Sequence, residues 1–307
     1  MDGGPALMRR NFLQTALAGG TALLQGCSPL ALINGWASSD TYRETAGIAY
    51  GPHARHRLDI YSPKGSAKIS DAPPVIVFFY GGNWDSGERA DYLFVGEALA
   101  ANGFMAVLPD YRLYPDVRYP DFLVDSAQAV RWVFEHIAEF GGDAQRVFLM
   151  GHSAGAYNAA MLALNPAYLR AAGADPQRVR GLIGLAGPYD FLPITGAITK
   201  AVFGFPDTSI TTQPIHFASS AAPPALLVTG ASDDVVDPGN SSRLTARLQQ
   251  RGAQARAVVY PVLGHRTLIG ALATPFRGLP GFKPVLEDVA AFVKERSAAD
   301  GARIKPA

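Results

Sequence analysis

Ser153 lies within VFLMGHSAGA, residues 147–156, in the pattern G-x-S-x-G. A serine hydroxyl is a weak nucleophile until a base takes its proton, so this pattern carries chemistry only if a histidine matches it. The chain has six histidines. His53 and His56 lie far upstream, His136 falls in an amphipathic stretch, and His152 adjoins the serine, where a sharp turn aims it away. His265 follows the last strand-like run in VVYPVLGHRTLIG and is the expected base, with His216 as the runner-up. Such a base needs a carboxylate to hold its tautomer and stabilise the imidazolium. LLVTGASDDVVDP offers Asp233, Asp234 and Asp237. Asp233 fits best, just past Gly230 in the turn, and the other two are its alternatives.

Attack on a carbonyl carbon puts negative charge on its oxygen, which calls for N–H donors aimed at that oxygen. The Ala154 N–H, at the start of the helix after Ser153, is one. FFYGGNWDSGERADY supplies the second, with Gly82 and Asn83 as the expected donors and Trp84 packed behind them.

These residues meet only if the elements bearing them bring them to one edge of the fold. HRLDIY alternates like a strand, and PPVIVFFY and RVFLMG are continuous apolar runs of the kind buried parallel strands show. FMAVLPDY, VRGLIGLAG, PALLVTG and QARAVVYP supply further strands. Helical spacing runs through YLFVGEALAANG, FLVDSAQAVRWVFEHIAEFGG, AGAYNAAMLAL, SSRLTARLQQRG and PVLEDVAAFVKER, the first two closing on glycine. The alternation predicts an α/β fold with a mostly parallel central sheet and helices on both faces. Catalytic groups of such sheets gather at the C-terminal ends of the strands, where Ser153, Asp233 and His265 all fall. Only the stretch from Pro188 to about Ala222 breaks the rhythm, and its apolar residues predict a lid lining a pocket.

Together YGGNW, PDYRLYPDVRYP, GHSAGA, GASDDVV and GHRTLIG resemble the α/β-hydrolase superfamily, in its hormone-sensitive-lipase-like and kynurenine-formamidase-like carboxylesterase branch. The resemblance runs from about Arg57 to Arg296 and keeps the order Ser153, Asp233, His265. It implies a serine-esterase mechanism. Related chains usually have histidine where Tyr80 stands, a side chain that supports the oxyanion loop without donating to the oxygen. Arg112, in the DYRL stretch, reads as half of an architectural ion pair.

The N-terminal residues read as an address. Arg9 and Arg10, an apolar stretch too short to span a membrane, and Leu24-Gln25-Gly26-Cys27 resemble a twin-arginine export signal with a lipoprotein processing site. Gln25 departs from the small or branched residue usual there. Met8 offers a second start. The expected organisation is an export signal and tether over residues 1–40, with Cys27 lipidated and the product in the cell envelope, then a catalytic domain over 41–307.

One cysteine excludes an internal disulfide framework and CxxC sites, and HExxH and GxxxxGK[ST] are absent. No metal and no cofactor are expected. A net charge of +1 without a long basic stretch gives nucleic acid no footprint, so the expected partner is a small ester, with a membrane reached by the lipid. The sequence thus predicts hydrolysis of carboxylic esters of small to medium acyl groups through an acyl-enzyme on Ser153. Arylformamide hydrolysis and a non-catalytic envelope lipoprotein of the same fold are the alternatives.

Overall fold

The computed structural model describes residues 29–65 and 72–303, so Cys27 and the twin arginines lie outside the described residues. Strands β1 (Tyr42–Ala49), β2 (Arg57–Pro63), β3 (Pro74–Phe79), β4 (Met105–Pro109), β5 (Asp143–His152), β6 (Val179–Leu185), β7 (Ala225–Gly230) and β8 (Ala255–Tyr260) form one sheet. Their order is β1-β2-β4-β3-β5-β6-β7-β8. β2 runs antiparallel to β1 and to β4, and every other neighbouring pair is parallel. Successive side chains of a strand point to opposite faces, and Val75 through Phe79 of β3 are all 0% exposed. Both faces are therefore covered, which the unbroken apolar runs require. The edge strands β1 and β8 are mostly exposed or half-buried, β1 with Arg43, Glu44 and Thr45 at its surface and β8 with Arg256 and also Val259 there.

The helices are α1 (Pro29–Asn34), α2 (Leu93–Ala101), α3 (Asp121–His136), α4 (Ala154–Leu164), α5 (Pro166–Ala171), α6 (Ala197–Phe203), α7 (Gly239–Gln250), α8 (His265–Gly270) and α9 (Lys283–Arg303). Gly103 beyond α2 and Gly141 beyond α3 take left-handed φ values of +84° and +86°. Gly103 closes α2 as the sequence predicts, and Gly141 closes the 3₁₀ turn Ile137–Phe140 that follows α3.

The described part of the stretch expected as a tether, up to residue 40, contains α1, and Asn34 at its end accepts from the Phe94 N–H at 3.1 Å and donates to the Ala90 carbonyl at 2.9 Å. An unsatisfied helix start at α2 is thus covered by a side chain from before the expected domain. Nearby, Glu97 of α2 is wholly buried and binds both terminal nitrogens of Arg277, at 2.8 and 2.9 Å. It also accepts from the hydroxyls of Thr41 and Thr274, each at 3.1 Å. The carboxylate's burial is offset by these four donors, which join the chain before β1 to the segment after α8.

Candidate active site

β5 ends at His152 and α4 begins at Ala154, leaving Ser153 in the turn at φ 55°, ψ −123°. A non-glycine residue rarely adopts positive φ, and here its neighbours hold it there. A Cβ on Gly155 would lie 2.0 Å from the Phe79 carbonyl oxygen, and one on Gly151 would lie 2.2 Å from that of Gly155. Both glycines of the motif are required by backbone packed against backbone. The Ser153 N–H donates to the Leu185 carbonyl at the end of β6, at 2.9 Å.

His265 opens α8 and its Nδ1 lies 2.9 Å from Asp233 Oδ2. A carboxylate only accepts, so Nδ1 carries the proton and Nε2 is left with a lone pair. The other oxygen of Asp233 accepts from the N–H groups of Val235 (3.0 Å) and Val236 (2.8 Å). Burial opposes the charge of Asp233, yet the hydrogen bonds from His265, Val236 and Val235 outweigh it and hold the carboxyl below its usual range. Of the three acidic residues in this loop, Asp234 is exposed and Asp237 turns to Arg243, at 2.9 Å. His216 is exposed on the lid beside Phe217.

Gly82, Asn83 and Trp84 have φ values of 129°, 53° and 62°, three consecutive positive angles that curl the backbone. A Cβ on Gly82 would sit 2.2 Å from the Ser86 carbonyl oxygen, so this turn admits only glycine. Trp84 is 2% exposed, and its indole N–H donates to Asn158 of α4 at 3.0 Å. Asn83 and Ala154 line the same cleft as Ser153. The Tyr80 ring, where the resemblance leads one to expect histidine, stacks on Tyr111, centroids 4.8 Å apart. Its hydroxyl accepts from Arg55 at 2.7 Å, and Arg55 also donates to the carbonyls of Gly87 and Tyr111. The loop keeps its support through an arginine from ahead of β2. Arg112 is indeed half of an ion pair, gripping Asp125 through two nitrogens at 2.8 and 2.7 Å.

The cleft of about 880 Å³ lies between the serine turn and the lid, whose wall includes Pro188, Phe191, Leu192, Ile194 and Ile198. The lid's short helix is α6, and its Phe203 packs edge-on against Trp84, centroids 4.9 Å apart, and against Tyr157 at 5.4 Å. The Tyr157 hydroxyl donates to the Thr212 carbonyl at 2.7 Å. Among the described residues no group of three or more His, Cys, Asp or Glu side chains is placed to hold a metal ion.

Two residues escape a reading of the motifs. His152 is buried, and its Nε2 donates to the His265 carbonyl at 3.1 Å while the two rings lie 4.8 Å apart. Burial, and then the nearness of His265, push its pKa down to about 3. Its ring turns to the main chain of His265. Arg243 of α7 reaches the cleft wall from a polar helix start that carries no motif.

Residues 58–248 match the BD-FAE family model. The chain is 30% identical over 267 residues to an isoprenylcysteine alpha-carbonyl methylesterase of Arabidopsis thaliana, covering 80% of this chain and 61% of that protein. A probable carboxylic ester hydrolase of Mycobacterium tuberculosis, LipM, is 28% identical, covering 80% and 59%. The chain thus spans about three fifths of the length of these curated relatives. Esterase B of Lactobacillus rhamnosis, solved with a bound inhibitor, superposes with a TM-score of 0.74 at 18% identity, over 88% of this chain and 92% of that one, a likeness of fold. The matched segment takes in the serine turn, the oxyanion loop and Asp233 and amounts to more than half of the chain, so the protein belongs to the BD-FAE family and has the α/β-hydrolase fold.

Proposed function

We propose that the protein is a cofactor-free serine esterase acting on carboxylic esters of small to medium acyl groups. The observation that carries this reading is the Asp233–His265 pair at 2.9 Å, on the segments that follow β7 and β8, beyond the same strand ends as a serine held at φ 55°. His265 Nε2 takes the Ser153 proton as Oγ bonds to the ester carbonyl carbon. The N–H of Ala154 and those of Gly82 and Asn83 receive the oxyanion. Collapse breaks the ester C–O bond, and His265 returns the proton to the departing alcohol. A water then gives its proton to His265 and attacks the acyl-enzyme, which releases the carboxylic acid and restores Ser153. Relatives that bear the names of a methylesterase and a carboxylic ester hydrolase support an ester as the bond cleaved.

Hydrolysis of 4-nitrophenyl acetate and butyrate by the protein, beside its Ser153→Ala variant, tests the reading. Turnover that disappears in the variant, with the fold retained by circular dichroism, is the expected result. Equal near-background rates in both overturn ester hydrolysis, and N-formylkynurenine then tests the formamide alternative.

We also infer export to the cell envelope with lipidation at Cys27. This rests on the sequence pattern Arg9-Arg10 to Cys27. Mass spectrometry of the membrane fraction is expected to find an acylated Cys27 at the N-terminus. A soluble product retaining Arg9 and Arg10 overturns it.

A further inference from the structure

Among the described residues, the charged ones lining the cleft are Asp190, Asp237 and Arg243, and the others are apolar or uncharged. Arg243 Nε donates to Asp190 Oδ2 at 2.6 Å, Nη1 to Asp237 Oδ2 at 2.9 Å, and Nη2 to the Asp190 carbonyl at 2.9 Å. Among the described residues lining the cleft Arg243 is the cation, each of its three nitrogens donates one bond to the wall, and two carboxylates stand against its charge. The clamp ties three elements together: Asp190 at the root of the lid, Arg243 on α7, and Asp237 on the loop that carries Asp233. Asn240 of α7 reinforces it by accepting from the N–H groups of Tyr189 and Asp190, both at 2.8 Å.

A substrate carboxylate entering this cleft would shed water without gaining an uncommitted cation, and would meet a wall of net negative charge. A site built for an anion presents its arginine unshared, because charge-assisted paired hydrogen bonds to a carboxylate are what such a residue supplies. We propose that the Asp190–Arg243–Asp237 clamp determines specificity for esters that are uncharged along the lid wall, and selects against those carrying an anionic group there. The inference rests on the serine-esterase reading. The side chains of Arg243 and Asp237 are 42% and 62% exposed, so solvent and salt weaken the selection, which is several-fold rather than absolute.

The test compares 4-nitrophenyl hexanoate with the mono-4-nitrophenyl ester of adipic acid, whose far end is a carboxylate. Each rate is taken above that of the Ser153→Ala variant, and the readout is the anion-to-neutral ratio of kcat/KM. That ratio cancels any loss common to both substrates. In the unaltered protein it is expected below about 0.2 at low salt. Asp237→Asn is expected to raise it about fivefold, Asp190→Asn to move it the same way, and Arg243→Gln to lower it about fivefold, all less so at high salt. Ser153-dependent turnover of the hexanoate with a ratio that the variants leave unmoved, or move in one common direction, overturns the specificity proposal alone. Absence of Ser153-dependent turnover on either ester overturns the esterase reading and the specificity with it.

Discussion

Around Ser153 the chain is fixed by its own backbone. Carbonyl oxygens stand about 2 Å from where Cβ atoms of Gly151 and Gly155 would lie, and α4 behind the turn is almost wholly buried. Across the cleft the lid is held largely by side chains, the Phe203 ring on Trp84, the Tyr157 hydroxyl on Thr212 and the half-exposed Arg243 clamp, beside a main-chain bond from the Tyr119 N–H to the Val202 carbonyl. A reacting oxygen must be placed to within fractions of an ångström, and steric contact between main-chain atoms leaves no alternative positions. A wall that sorts substrates has no such demand. Its contacts are exchangeable, and a change of one side chain alters selection without moving the nucleophile.

The comparison is broken most severely on the catalytic side by Asp233→Asn. The backbone donors of Val235 and Val236 hold one oxygen, so the asparagine amide turns its NH₂ to His265 Nδ1. That nitrogen must then accept, the proton moves to Nε2, and the base can no longer receive the serine proton. A loss of about 10⁴ in kcat is expected with little change in stability. A loss below tenfold in steady-state kinetics would reassign the carboxylate.

Gly155→Ala tests the backbone side of the comparison directly. Its Cβ would lie 2.0 Å from the Phe79 carbonyl, which cannot rotate away as a side chain can. Overpacking of this kind is expected to cost about 3 kcal/mol, a fall of roughly 6–12 °C in Tm. A melting temperature unchanged in calorimetry would show that the turn is looser than its contacts imply.

His152→Gln sharpens the comparison through pH. The native imidazole stays neutral down to about 3 against an ordinary value of 6.5, so between these values the unfolded chain binds more protons. The group's contribution is complete above pH 6.5 and is lost as pH falls toward 3, by at most about 1.4 kcal/mol per unit. Urea unfolding at pH 7 and pH 5 is expected to show a shallower loss in the variant than in the unaltered protein. Equal slopes would remove His152 from the account.

The smallest effect belongs to the lid. Thr199 donates to Asn83 Oδ1 at 3.3 Å on an exposed surface. Thr199→Val is expected to change kcat/KM less than about fivefold, with stability altered by under about 1 kcal/mol. A hundredfold loss would mean that the lid orients the oxyanion loop rather than only covering it.

What could be read from the residues follows the same division. Apolar runs such as VIVFF and VFLMG declare buried strands because burial of both faces leaves no room for polar alternation. The serine turn, the glycine stops and Asp233 are local, each set by residues a few positions apart. β1 was not legible: it is an exposed edge strand, with a shift of register between Thr45 and Ile48 where Gly47 takes φ 71°. Nor could α1's docking be read, since it depends on Asn34 meeting α2 some 60 positions on. The tie from His152 to the His265 carbonyl spans 113 positions, and a side chain bonding to a carbonyl leaves no mark on the residue that owns the carbonyl. Arg55 taking over the support of Tyr80 is hidden for the same reason.

The four donors on Glu97 bear on how far the N-terminus can be shortened. Thr41 is one of them and Arg277, seven positions beyond the α8 terminus, another. A protease that trims the chain ahead of residue 29 leaves Asn34 and Thr41 in place, whereas one that cuts between Thr41 and β2 removes a hydroxyl from a sealed carboxylate and both outer partners of α2. The span from residue 29 to 41 thus sets a floor on N-terminal processing, beyond which a shortened product would have its C-terminal third less firmly moored.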